Sequence, residues 1–209
     1  MKVIDLTHTI CENMPVYPGT EPPRLETANT YEKDFFKETR MTLFTHTGTH
    51  VDPPAHIFAG RTTLDQFPAD QFIGKALVID CRGKSAITMA ELAPYGDKVR
   101  QADFLLFRTG WDQYWGTPEY YGAFPCVDDE VLDFIMAGDY KGVGSDTISL
   151  DPVDDLTRHK KLFAAKDMVN VENLTRLGEC GDGLFSFSCF PLPTRDADGS
   201  PVRAVAWFE

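Results

Sequence analysis

The chain has no run of about eighteen apolar residues, so no stretch is long enough to cross a membrane as a helix. Its start, Met1-Lys2-Val3-Ile4-Asp5-Leu6, lacks the sustained apolar segment and cleavage site of a secretory signal. Both absences predict a cytoplasmic protein. Basic residues are scarce: 20 Lys and Arg stand against 32 Asp and Glu, for a formal charge of −12. Nucleic acid and anionic membrane both require basic patches, so neither is an expected partner. Cys11, Cys81, Cys126, Cys180 and Cys189 are odd in number, widely spaced and without a Cys-x-x-Cys pair. That pattern argues against a disulfide framework or a thiolate zinc cluster and predicts free thiols. No internal repeat or low-complexity segment is present, and 209 residues with 43% hydrophobic content predict one domain over residues 1–209.

Histidine is also scarce, with five in the chain, yet three of the five fall in Phe44-Thr45-His46-Thr47-Gly48-Thr49-His50-Val51-Asp52-Pro53-Pro54-Ala55-His56. Imidazole nitrogen and carboxylate oxygen suit zinc and its first-row neighbours, and a catalytic site needs about three protein ligands plus an open position. His46, His50 and Asp52 can supply three. His56 is a fourth candidate, able to move a proton of the attacking water instead of holding the ion. A straight strand would put His46 and Asp52 about 20 Å apart, too far for a shared ion, so the chain must bend. Gly48 and the Pro53-Pro54 pair provide the bending points. A helical His-x-x-x-His pair is the alternative, but Thr45, Thr47, Gly48 and Thr49 form helices poorly and the Glu of the helical zinc-protease motif is missing.

Along the chain, Val3–Thr9 reads as a strand, followed by a proline-rich shaped loop from Met14 to Pro23. Arg40–His46 alternates as a strand that would deliver His46 at its end. Gly74–Asp80, Asp103–Phe107 and Gly142–Ser145 are short apolar strands, and Leu184–Phe190 and Val202–Trp207 close the pattern. Thr88-Met-Ala-Glu91 is a capping box, and Asp128 caps a helix through Ala137 with Val131, Leu132, Ile135 and Met136 on one face. Strands alternating with helices make this an α/β chain. Trp111, Tyr114, Trp115, Tyr120, Tyr121 and Phe124 crowd one loop, where they serve packing or a subunit interface, or grip an aromatic substrate. Tyr17 and Phe36 are placed near the entrance of a site. On the residues alone, His159 sits on an exposed helix face beside Lys160 and Lys161, and Glu172, in an apolar run, pairs with an arginine.

The His46-Thr-Gly-Thr-His50-Val-Asp52-Pro-Pro54-Ala-His56 stretch resembles the His-x-Gly-Thr-His-x-Asp-x-Pro-x-His signature of the metal-dependent cyclase family, which includes bacterial kynurenine formamidases and isatin hydrolases. Every fixed position matches. Ile4-Asp5-Leu6-Thr7 with Met14-Pro15-Val16-Tyr17-Pro18-Gly19 resembles the family's opening. Gly144 to Pro152 resembles its central motif and Ser200-Pro201-Val202-Arg203-Ala204 its end, so the likeness spans the chain. It implies a swivelling β/β/α fold with mixed sheets and flanking helices. It also implies one or two divalent ions, zinc first and manganese as the alternative, held by His46, His50 and Asp52. His159 and Glu172 become further ligands, with one residue inserted between Ala164 and Asn170, and His56 becomes the general base and acid. The implied activity is hydrolysis of an aromatic amide, N-formylkynurenine to kynurenine and formate, by a homodimer or tetramer. Ring opening of a cyclic amide such as isatin uses the same parts. A non-catalytic structural zinc would leave His56 unexplained.

Overall fold

Short apolar runs without alternation belong to strands covered on both faces, and such strands form the centre of this fold. The computed structural model describes residues 1–208. Its first six strands are β1 (Lys2–Asp5), β2 (Arg24–Asn29), β3 (Glu38–Thr42), β4 (His50–Asp52), β5 (Ile73–Asp80) and β6 (Phe104–Arg108). The second half adds β7 (Gly142–Ser145), β8 (Val169–Glu172), β9 (Phe185–Ser188), β10 (Ser200–Pro201) and β11 (Val205–Phe208). Nine of these form one mixed sheet in the order β1-β11-β9-β5-β6-β7-β8-β4-β10. It is parallel from β5 to β8 and antiparallel at every other pairing. β2 and β3 form a separate hairpin.

In β5, Ala76 and Val78 enter one core while Leu77 and Ile79 enter another; in β6, Phe104 and Leu106 are divided from Leu105 and Phe107 in the same way. The first core also contains Ile4 and Ala206 from one end of the strand order and Val51 and Val171 from the other. Strands so far apart in order share a core because the sheet curls on itself. Thr7 forms a bridge to Leu174, and the Thr175 N–H donates to the Leu6 carbonyl at 3.1 Å, across the opening of the curl.

The second core lies outside the curl, covered by helices Asp129–Ala137 and Thr157–Ala165 through Val131, Leu132, Ile135, Leu162 and Phe163. Each such side chain contributes about 1.5–3 kcal/mol when fully buried. The Asp128 carboxylate accepts the Val131 N–H at 2.9 Å, and Thr88 and Glu91 form the expected capping box on helix Met89–Leu92. All five cysteines are free thiols. Among the described residues, no helix is long and apolar enough to cross a membrane.

Three strand expectations need correction: the last strand begins at Val205 instead of Val202, which forms only an isolated bridge to Pro191. The first strand stops at Asp5 instead of Thr9, and the strand expected over Arg40–His46 is Glu38–Thr42. The strand ends at Thr42, and beyond it the Thr45 and His46 side chains turn toward Asp198 and Asp52.

Candidate metal centre

The centre is built on one face of the β4–β8 pair. Successive strand residues point to opposite faces, so His50 and Asp52 share a face while Val51 enters the inner core. Antiparallel register sets His50 opposite Glu172 and Asp52 opposite Asn170. His46 comes from the preceding turn. Gly48 reverses the chain there with φ +66°, and a Cβ on it would meet Met14 Cε at 3.0 Å. The bend returns His46 Nδ1 to 2.8 Å from Asp52 Oδ1. His56 ends the turn Pro54–His56, its ring centroid 4.0 Å from that of His46. His159, on helix Thr157–Ala165, is buried with Leu162 and Phe163 and not on an exposed face; its Nε2 lies 3.2 Å from Glu172 Oε1 and 3.8 Å from Asp52 Oδ2.

Outer contacts fix the imidazole orientations. His50 Nδ1 donates to the Gly48 carbonyl at 2.8 Å, which turns Nε2 toward Asp52 Oδ1 at 3.2 Å and Glu172 Oε2 at 3.5 Å. His159 Nδ1 is held at 2.8 Å by Asp151 Oδ2, a carboxylate that also accepts the His159 and Arg158 backbone N–H groups. A ligating histidine anchored through its other nitrogen is the usual arrangement at metal sites. Asn173 Nδ2 donates to the same Gly48 carbonyl at 2.9 Å, and Tyr120 Oη donates to Asn173 Oδ1 at 2.7 Å.

Asp52 is 1% exposed and Glu172 5%, and the cationic partners near them among the described residues are histidines, with no arginine on Glu172. Two buried carboxylates need positive charge. Without a metal the imidazoles must supply it. Burial lowers the pKa of His50 and His159, but the carboxylates around them outweigh it, and both are raised. For His46, burial is outweighed by hydrogen bonds to Asp198 and Asp52, and the pKa rises to about 10. A divalent cation would satisfy the same carboxylates with neutral imidazole donors, so the donor set fits a metal. His46, His50 and Asp52 form one convergent group, and Asp52, His159 and Glu172 form another. His56 differs: burial, reinforced by His46 and His159 against the attraction of Asp52 and Glu172, lowers its pKa.

Beside this cluster lies a cavity of about 370 Å³ that exposes His46, His50, His56 and Glu172, with Val16, Tyr17, Ile57, Ile148 and Leu156 on its apolar side. The Asp154 N–H donates to Tyr17 Oη at 3.0 Å, tying the proline-rich loop across it.

The Cyclase family model matches residues 4–152. The chain belongs to the Cyclase family. It is 30% identical over 206 residues to a kynurenine formamidase of Bacillus cereus, covering 97% of this chain and 95% of that protein. A kynurenine formamidase of Bacillus thuringiensis is 29% identical over the same span. Isatin hydrolase A from Labrenzia aggregata, solved with benzyl benzoate, shares the fold with a TM-score of 0.86 at 23% identity, over 98% of this chain and 93% of that one. A structure described as a potential metal-dependent hydrolase with cyclase activity has a TM-score of 0.78 at 27% identity, covering 98% and 96%.

In this cyclase-family chain, all six residues singled out from sequence lie within one neighbourhood. The six aromatics between Trp111 and Phe124 are absent from the cavity wall. They pack instead around buried Tyr120 and Phe124, against Ile148 and Tyr17. Phe36 is half-exposed and away from the cavity. Sequence reading missed Asp198, whose Oδ2 is 3.4 Å from His46 Nε2, and Asp151, Asn170 and Asn173. The signals available were Asp151 in the central motif and the period-two spacing of Asn170 and Glu172.

Proposed function

We propose that this chain is a metal-dependent amide hydrolase whose substrate is an aryl formamide, N-formylkynurenine first. One observation carries the reading: His56 faces the same small, largely apolar cavity as His46, His50 and Glu172. His46, His50 and Asp52 would hold one divalent cation and Asp52, His159 and Glu172 a second, zinc first with manganese as the alternative. Such a cation lowers the pKa of bound water from about 16 toward 7 and polarises the amide carbonyl.

The chain's own residues account for the rest. Tyr17, Ile57 and Ile148 take the flat ring, directing the formyl group toward the carboxylates. His56 accepts a proton from the attacking water as its oxygen bonds to the formyl carbon. It then returns the proton to the aryl nitrogen as the C–N bond breaks, leaving formate and an aromatic amine. Proton transfer of this kind contributes about 10²- to 10⁴-fold. Kynurenine formamidase relatives at full-length coverage support the substrate class.

The assay compares metal-loaded protein on N-formylkynurenine, formanilide and isatin. Formamide turnover is expected, with His56→Ala retaining metal and fold while kcat falls about 10²- to 10⁴-fold. Turnover of isatin alone would replace the formamide with a cyclic amide. Equal activity of His56→Ala and wild type would remove His56 from the mechanism. We also propose a cytoplasmic homo-oligomer, supported by exposed Tyr31, Phe35 and Met41 on or beside the β2–β3 hairpin. Light scattering should then give a mass above that of one 23.4 kDa chain.

A further inference from the structure

We propose that Asn170 is itself a metal ligand, through Oδ1, completing a four-membered, oxygen-rich site with Asp52, His159 and Glu172. The inference rests on the metal-hydrolase reading above. Asn170 is 1% exposed, shares its face of β8 with Glu172, and stands directly opposite Asp52 across the β4–β8 ladder. One end of its carboxamide, placed as Nδ2, lies 2.9 Å from Glu172 Oε1 and 3.3 Å from both Asp52 Oδ2 and His159 Nε2. The other end, Oδ1, is buried with no hydrogen-bond partner.

The two 3.3 Å distances are ones that ligand atoms keep from one another, and the 2.9 Å contact to Glu172 is shorter. Four atoms at bond lengths of about 2.0–2.2 Å around a tetrahedral ion are about 3.3–3.6 Å apart. Here His159 Nε2 is 3.2 Å from Glu172 Oε1 and 3.8 Å from Asp52 Oδ2, and the Asn170 amide atom caps the three. A simple hydrogen-bonding role explains the arrangement less well. It gives the two amide protons acceptors in Glu172 Oε1 and Asp52 Oδ2 but leaves a buried carbonyl oxygen without a donor, which costs about 1–3 kcal/mol. A cation on Asp52, His159 and Glu172 would occupy the lone pairs that now accept those protons. A half-turn of the carboxamide exchanges its oxygen and nitrogen ends in place, because the two ends are nearly the same size. The buried oxygen then gains a partner, and the amide nitrogen takes the end where Oδ1 now has none.

The ligand chemistry separates two sites. His46, His50 and Asp52 offer two nitrogens and one oxygen. Asp52, His159, Glu172 and Asn170 offer one nitrogen and three oxygens, a harder set that favours manganese over zinc relative to the first. Asp52 divides its oxygens between them, Oδ1 toward His46 and His50 and Oδ2 toward His159 and Asn170.

The test strips the protein with chelator, reloads it with Mn²⁺ or Zn²⁺, and reads stoichiometry by elemental analysis and affinity by calorimetry, independent of turnover. Wild type should hold two ions per chain. Asn170→Leu should keep one and bind the second at least tenfold more weakly, while Asn170→Asp, which retains an oxygen, should keep both. Melting curves of the stripped proteins check folding, and Asn170→Ala gives the same reading if the leucine variant does not fold. An unchanged second affinity in the leucine and alanine variants would overturn the proposal. So would a second ion that appears only when Asn170 is removed, since the amide would then be a plug. Wild-type protein that takes up no metal would sink the hydrolase reading itself, a result distinct from either.

Discussion

Gly199 leaves no room for a side chain: a Cβ there would lie 2.4 Å from His46 Cε1 and 2.7 Å from Nε2. That ring has Asp52 on one side and Asp198 on the other, so it cannot retreat without losing one of them. Gly199→Ala is therefore expected to weaken metal binding about 10- to 100-fold, the range for disturbing the support of a ligand, with little change in the melting temperature of the stripped protein. Titration calorimetry checks it; unchanged affinity would mean that His46 is free to move. At this scale the sequence was legible where candidate site residues crowd a short segment, as from His46 to His56. Asp198 and Asn170 were not. Their contacts are with residues more than 100 positions away; a lone Asp in a loop carries no pattern of its own, and the period-two spacing from Asn170 to Glu172 sets a shared face without naming a partner across it.

Local devices at element ends are easier to read. The Thr88–Glu91 box and the Asp128 cap act within three residues, and both are present as their spacing predicts. Hydrogen bonds from the Thr88 hydroxyl and N–H, with Lys84 at 3.1 Å, hold the Glu91 pKa near 2, below the usual 4.5. A depressed carboxylate pKa contributes stability that is complete above about pH 4.5 and is lost as pH falls toward 2. Glu91→Gln should thus cost about 1 kcal/mol at pH 6, and the difference should shrink by pH 3. Urea midpoints at pH 6, 4.5 and 3 measure it, and a gap that stays constant with pH would contradict the assignment. Strand ends were harder. The alternation of Arg40–His46 reads as a strand, but β3 is exposed throughout and belongs to a detached hairpin, so no core holds the chain extended as far as His46.

For the whole molecule, β5, β6 and β7 could be read from their apolar runs, because burial on both faces leaves no polar alternation. The curl could not. It depends on Thr7 meeting Leu174, a pairing without a local signature, and the swivelling β/β/α type came from family resemblance alone. The aromatic loop packs inward, which removes one argument for an oligomer and leaves the exposed hairpin as the other. Metal should matter to the stability of the entire chain, since the carboxylates that need it lie in the sheet. A ligand at about 100 times its Kd adds about 2.7 kcal/mol, and each kcal/mol shifts the Tm of a chain this long by about 2–4 °C. Chelation is expected to lower Tm by about 5–10 °C in calorimetry, reversed by adding metal back. No shift would place the metal outside the folded core.

The β4–β8 ladder joins Asp52 to Asn170 across a separation of 118 residues. Contacts of such long range are the slow ones in folding, because the intervening loop must be closed before they return any stability. Helix Asp129–Ala137 and the β2–β3 hairpin can form from neighbours in sequence, whereas the proposed second metal site has no precursor until β8 lies against β4. Metal capture by a refolding chain is therefore a clock. It should run later than the far-ultraviolet signal of the helices and mark the moment at which the two halves of the sheet become one.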